Sequence, residues 1–130
     1  MKKFEFSLDT EDDVILAIVV IDDEFEFNAA LDTAATHTTF DYANLAVAGV
    51  KLDKKVGERF IETSSGIIQV EIYEVSIFEV FGHQIENFQL QVYDFLAHGI
   101  TPEYDGVLGL DFLQQKDLCI HFSKGYLTFK

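Results

Sequence analysis

From residue 67 to residue 81 the chain runs without a proline or a glycine, and β-branched or aromatic residues recur at almost every second position. That alternation identifies one long strand. Its phase changes near Ile72-Tyr73 and again near Ile77-Phe78. A strand that exchanges its buried face is bent or bulged and serves two packing surfaces. The apolar content is rich in Phe, Ile and Val, residues that suit a pleated, half-buried surface. A β-rich fold is the consequence.

Further strands can be read in order. Phe4, Phe6 and Leu8 alternate with polar neighbours, and residues 9–13 form an acidic break. Residues 14–20 are a continuous apolar run, as in a strand buried on both sides. Asp22-Asp23 makes a turn, and Phe25, Phe27, Ala29 and Leu31 alternate into Asp32. Asp41 suits the N-cap of a short helix over residues 42–48, closed by Gly49. Lys51, Lys54 and Lys55 form a small solvated basic loop. Gly82-His83 suits a tight hairpin turn with glycine in the first central position. Phe88, Leu90 and Val92 then face one way, with Gln89, Gln91 and Tyr93 opposite. A loop over residues 97–105 holds Pro102. Gly106 to Gly109 is a short strand, and residues 110–115 a short helix with Leu110 and Leu113 inside. Leu118, Ile120 and Phe122 alternate before a closing hairpin that carries Leu127 and Phe129. About nine strands and two helices make a mostly antiparallel domain, barrel-like or sandwich-like.

Bulk properties limit the partners. At 130 residues, one of them proline, the chain has the size of one folded domain, 1–130. A net charge of −14 argues against nucleic acid and anionic membrane as partners, because phosphate contacts need Lys and Arg. No apolar stretch long enough for a signal or a membrane span is seen, so a cytoplasmic location is expected. The single cysteine, Cys119, agrees with a reducing compartment and reads as a small core thiol. His37, His83, His98 and His121 lack metal-ligand spacing, so no metal and no cofactor are expected.

One carboxylate stands out. Ala29-Ala30-Leu31 delivers Asp32, and the small residues Thr33, Ala34 and Ala35 follow. An Asp beside an apolar strand needs a partner, which makes it a site candidate. A strand-ending Asp in a turn, or a helix N-cap, would use the same residues. A faint echo of this segment occurs at Val107-Leu108-Gly109-Leu110-Asp111, as if two halves were related by a repeat.

Taken together, these segments resemble the retropepsin-like aspartic proteases, single-domain relatives of the retroviral proteases. Ala30-Leu31-Asp32-Thr33-Ala34-Ala35-Thr36 is similar to the family's apolar-apolar-Asp-Thr-Gly-Ala-Thr/Ser. A glycine-bearing hairpin over residues 62–67 lies where the family has its flap. Val107-Leu108-Gly109, leading into a helix, matches the second family signature. Residues 118–129 match the closing sheet. The resemblance implies a closed-barrel-like acid protease fold with one or two short helices. It also implies an aspartic endopeptidase acting as a homodimer on a peptide or protein substrate. Asp32 of each chain would form the dyad, and Thr33 would hydrogen-bond across the two-fold axis. Ala34 and Ala35 would shape the cleft floor. Thr63, Ser64, Ser65, Gly66 and Ile67 would cover an extended peptide. The acidic surface suggests neutral or basic substrate segments and acid pH. The chain departs from the family at Ala34, where glycine is usual: a methyl group is added near the carboxylate and positive φ becomes unfavourable. A peptide-binding module of the same fold without hydrolysis therefore stays open. A metal-dependent hydrolase and a Ser or Cys nucleophile are supported by no motif.

Overall fold

The computed structural model of the chain describes residues 2–8, 14–63, 66–101 and 103–130. In chain order the strands are β1 (Phe4–Glu5), β2 (Leu16–Ile21), β3 (Phe25–Leu31), β4 (Thr39–Asp41) and β5 (Lys55–Thr63), then β6 (Gly66–Val80), β7 (His83–Tyr93), β8 (Gly106–Leu108), β9 (Leu118–His121) and β10 (Tyr126–Phe129). Helix α1 (Tyr42–Ala48) follows β4, and helix α2 (Leu110–Leu113) follows β8. Single 3-10 turns lie at Leu96–His98 and Phe122–Lys124. Among the described residues, no helix is long and apolar enough to cross a membrane.

The long strand organises the sheet. β6 pairs with β5 and β7 along its length and with β2 at its far end. That last pairing closes the order β2-β3-β8-β4-β7-β6 into a ring, with β5 outside it on β6. Closure removes open edges from the ring. The remaining edge, β5, carries Lys55, Glu58 and Glu62 toward solvent, charges that discourage edge-to-edge pairing. The fold is mostly β and antiparallel, with parallel pairings only at β3–β8 and β4–β7 among the described residues. A smaller sheet, β1-β10-β9, lies beside the barrel.

Both phase changes in β6 are present. Ile68, Val70 and Ile72 are buried, then Tyr73 and Val75, then Phe78 and Val80. The first change lies opposite a bulge in β5 between Lys55 and Gly57. The second lies where Asn87 on β7 takes a φ of 55°. Each shift turns a new row of β6 side chains inward. The last row meets an aromatic core in which Phe78 stacks on Phe88 at 4.4 Å and meets Phe40 and Phe112 edge-on. Burying Phe78 alone removes enough apolar surface to contribute roughly 2–3 kcal/mol.

Several expectations are corrected. β2 is not buried on both faces: Leu16 and Ile18 are 38% and 56% exposed, because a barrel strand shows one face to the outside. The first strand ends at Glu5; beyond it the Phe6 amide donates to Gly125 O at 3.0 Å. The β6–β7 turn is centred on Phe81-Gly82, both at positive φ, so glycine takes the second central position. Strain at Phe81 is offset by its packing on Phe4 and Phe129. In α2 it is Phe112, with Leu113, that is buried, while Leu110 is 37% exposed. Cys119 is exposed rather than a core thiol, since β9 is an edge strand. The alternation through Phe122 stops at a 3-10 turn that leaves its ring exposed. Helix α1 has its expected bounds and its left-handed Gly49, but Asp41 gives it no side-chain cap. That carboxylate accepts the Phe95 amide instead, at 3.0 Å. Residues 9–13 and Pro102 lie outside the described residues.

Candidate active site

Asp32 follows the last residue of β3, where that strand runs parallel to β8 in the register Ala29↔Gly106, Ala30↔Val107, Leu31↔Leu108. The Asp32 amide extends the ladder by donating to Leu108 O at 3.0 Å. The chain then turns. The Ala34 amide donates to Asp32 Oδ1 at 2.9 Å, and the Ala35 amide to Asp32 O at 3.2 Å. This is an Asx-type turn, and no helix follows, so the N-cap alternative is excluded. Asp32 and Ala35 are half-buried; Thr33 and Ala34 are exposed. Ala34 is not among the residues at positive φ, so its backbone does not need the glycine conformation.

The loop is braced from the second signature. Leu110 and Asp111 at the start of α2 donate their amides to Ala35 O and Thr36 O, at 2.8 and 3.2 Å. Asp111 accepts the Thr38 amide and the Thr38 hydroxyl, at 2.9 and 2.7 Å. Thr38 Oγ1 in turn accepts the Gly109 amide at 3.1 Å, and Thr38 is wholly buried. The glycines permit this closeness. A Cβ on Gly109 would stand 2.8 Å from the His37 carbonyl carbon, and one on Gly106 would stand 2.4 Å from Thr39 O. Val107, Leu108 and Gly109 are therefore brought against the segment that carries Asp32. Thr38 and Asp111 were not expected in this role. They lie 73 residues apart, and nothing local to either marks the pair.

The hairpin of β5 and β6 is built separately: neither strand pairs with β3, β4 or β8. Its end pairs Glu62↔Ile67 and Thr63↔Gly66, with the Thr63 hydroxyl donating to Gly66 O at 3.0 Å. Ser64 and Ser65 lie outside the described residues. Gly57, Arg59, Ile61 and Thr63 are half-buried on its inner side, and Glu58, Phe60 and Glu62 are exposed. Two cavities lie along that inner side. One, of about 180 Å³, is lined by Ile61, Thr39 and Val107. The other, of about 250 Å³, is lined by Arg59, His37, Gln91 and Asp111. Burial, and then the Arg59 guanidinium, hold His37 below the usual imidazole range, with Asp111 acting in the opposite sense. Gln91, expected on a polar face, is buried and satisfied: its Nε2 donates to Thr39 Oγ1 and its Oε1 accepts from Arg59. Among the described residues, no three His, Cys, Asp or Glu side chains gather as a metal site.

Residues 17–112 match the family of aspartyl proteases. The chain belongs to that family. Among solved structures, a retropepsin-like aspartic protease from Rickettsia conorii is similar over 97% of this chain and 86% of its own, with a TM-score of 0.66 and 15% identity. No curated protein sequence matches the chain. The aspartyl protease family match spans Asp32, the β5–β6 hairpin and the second signature as far as Phe112. The closing sheet lies beyond it and is covered by the structural likeness, which bears on the fold alone.

Proposed function

We propose that the chain is an aspartic endopeptidase that works as a homodimer, with Asp32 from each copy forming a water-activating dyad. The observation that carries this reading is the setting of Asp32. Its half-buried carboxylate ends β3 in a loop of small residues, and its amide is tied to Leu108. Asp111, the nearest analogue in the echo, cannot serve as its mate within one chain. Both of its oxygens are taken by Thr38, and Oδ1 also accepts the Phe112 amide. A symmetric pair of chains supplies the second carboxylate.

Two carboxylates a few ångströms apart do not both ionise, as the general account of aspartic protease dyads describes. The ionised Asp32 takes a proton from water while the protonated partner donates a hydrogen bond to the substrate carbonyl. Water oxygen adds to the carbonyl carbon, and a proton then passes to the leaving nitrogen as the C–N bond breaks. Thr33 steadies the two loops across the axis. Ala34 and Ala35 form the floor. Thr63, Ser64, Ser65, Gly66 and Ile67 lie over the substrate, which is held as an added strand. No metal or cofactor enters this scheme.

Purified chain incubated with a peptide mixture from pH 3 to 7 tests the reading. Cleavage with an acidic optimum is expected, and Asp32→Asn should abolish it while sedimenting like the parent. An Asp32→Asn protein that still cleaves would sink the assignment. The peptide-binding alternative is favoured by one residue, Ala34. It predicts binding without cleavage and cleavage gained in Ala34→Gly.

A further inference from the structure

Arg59 is the sole arginine of a chain with net charge −14, and it stands on the inner side of the hairpin. Its placement is built rather than incidental. Nη1 donates at 2.7 Å to Oε1 of the buried Gln91, whose own amide is fixed by Thr39. A guanidinium offers five donors in a rigid fork. Among the described residues it makes no ion pair. Asp111 also lines the cavity, but its oxygens are occupied by Thr38 and the Phe112 amide. His37 completes the polar wall, over an apolar floor of Ile72 and Phe88.

We propose that this cavity is a subsite for an acidic side chain of the peptide, with Arg59 as the residue that sets the preference. The inference rests on the peptidase reading and deepens it. It also runs against the bulk charge, which alone would select basic segments. The neighbouring geometry gives the pattern. Ile61, two residues from Arg59 on the same face of β5, lines the cavity shared with Thr39 and Val107. Side chains two apart on one face of a strand are separated by roughly 7 Å, in β5 and in an extended peptide alike. A peptide lying along this face therefore presents an apolar side chain to Ile61 and, two positions further from the hairpin end, Glu or Asp to Arg59. A carboxylate there accepts charge-assisted hydrogen bonds from a fork already held in place.

The test uses the Asp32→Asn chain, which leaves the peptide intact, and three peptides identical except for Glu, Gln or Lys at that outer position. Calorimetric titration at low salt should give the Glu peptide an affinity about tenfold above Gln, with Lys weakest. In Arg59→Gln, which retains a donor for Gln91, the Glu-to-Gln ratio should fall to near one; in Arg59→Glu the order should reverse. Equal affinities of the Asp32→Asn chain for all three peptides would overturn the inference, and that result does not depend on any Arg59 variant folding. A Glu preference that survives in Arg59→Gln would overturn it too. Hydrolysis by the parent chain is scored separately. Failure to cleave any of the three counts against the peptidase reading, while the charge preference in binding still decides the subsite.

Discussion

The loop that carries Asp32 and the hairpin that faces it are made in opposite ways. The loop is irregular backbone, yet hydrogen bonds with Leu108, Leu110, Asp111 and Gly109 hold it on several sides. The hairpin is a ladder in unbroken register from Gly57↔Ile72 to Thr63↔Gly66, yet no residue of β5 is fully buried, and Phe60 and Ile67 are 71% and 74% exposed. Regularity and rigidity are thus divided between different parts of the molecule. Chemistry that needs a carboxylate held in one place is served by a cross-braced loop. In the proposed peptidase, the cover that has to admit and release a peptide is a ladder anchored on one side only.

Glycine substitutions give the sharpest contrast. Gly109→Ala would press a methyl group against the backbone of residues 35 and 37. A loss of about 3 kcal/mol or more is expected from urea denaturation, or failure to fold. Gly66→Ala in the hairpin meets no atom within 4 Å and is strained only through its φ of +121°. About 1 kcal/mol is expected there. Equal costs at the two positions would break the comparison. Next comes Thr38→Val, which keeps the shape but strands the Gly109 amide and removes one bond to Asp111. Roughly 2 kcal/mol should be lost in the same measurement.

Acid should act on the braced side through His37. The unfolded chain takes up that proton near the ordinary imidazole value, about 6.5. The folded chain takes it up only at lower pH, because of burial and Arg59. The unfolded state therefore binds more protons as pH falls below that value, and stability drops until the folded pKa is passed. His83, lowered by burial and by Lys116, contributes with the same sign. The urea midpoint should fall between pH 7 and 5, and the slope should flatten in the His37→Asn, His83→Asn double variant. The smallest effect belongs to the hairpin surface. Phe60→Ser should change stability by no more than about 0.5 kcal/mol, because that ring is already in water.

How much of this was legible follows the same division. Periodicity revealed β6 and its two changes of face, small polar residues the hairpin turn within residues 62–67, and Gly49 the end of the helix over residues 42–48, since each is written in neighbouring residues. It failed where tertiary closure decides. Leu16 and Ile18 read as interior until the barrel gives β2 an outside. Phe112 and Leu110 differ by which of them the ring of aromatics accepts. Asp32 was visible as a carboxylate among small residues, whereas Thr38, Asp111 and the Gln91–Arg59 contact depend on pairings between distant segments.

Those distant pairings have a consequence for the order of events during synthesis. Asp32 is translated well before its partners: the carbonyl that receives its amide belongs to Leu108, and the helix that steadies its loop begins two residues later. A nascent chain released up to Thr101 holds the acidic side chain without its setting. The braced geometry around Asp32 comes into being only when the segment through Asp111 has left the ribosome, and contacts of such long sequence separation are slow to form.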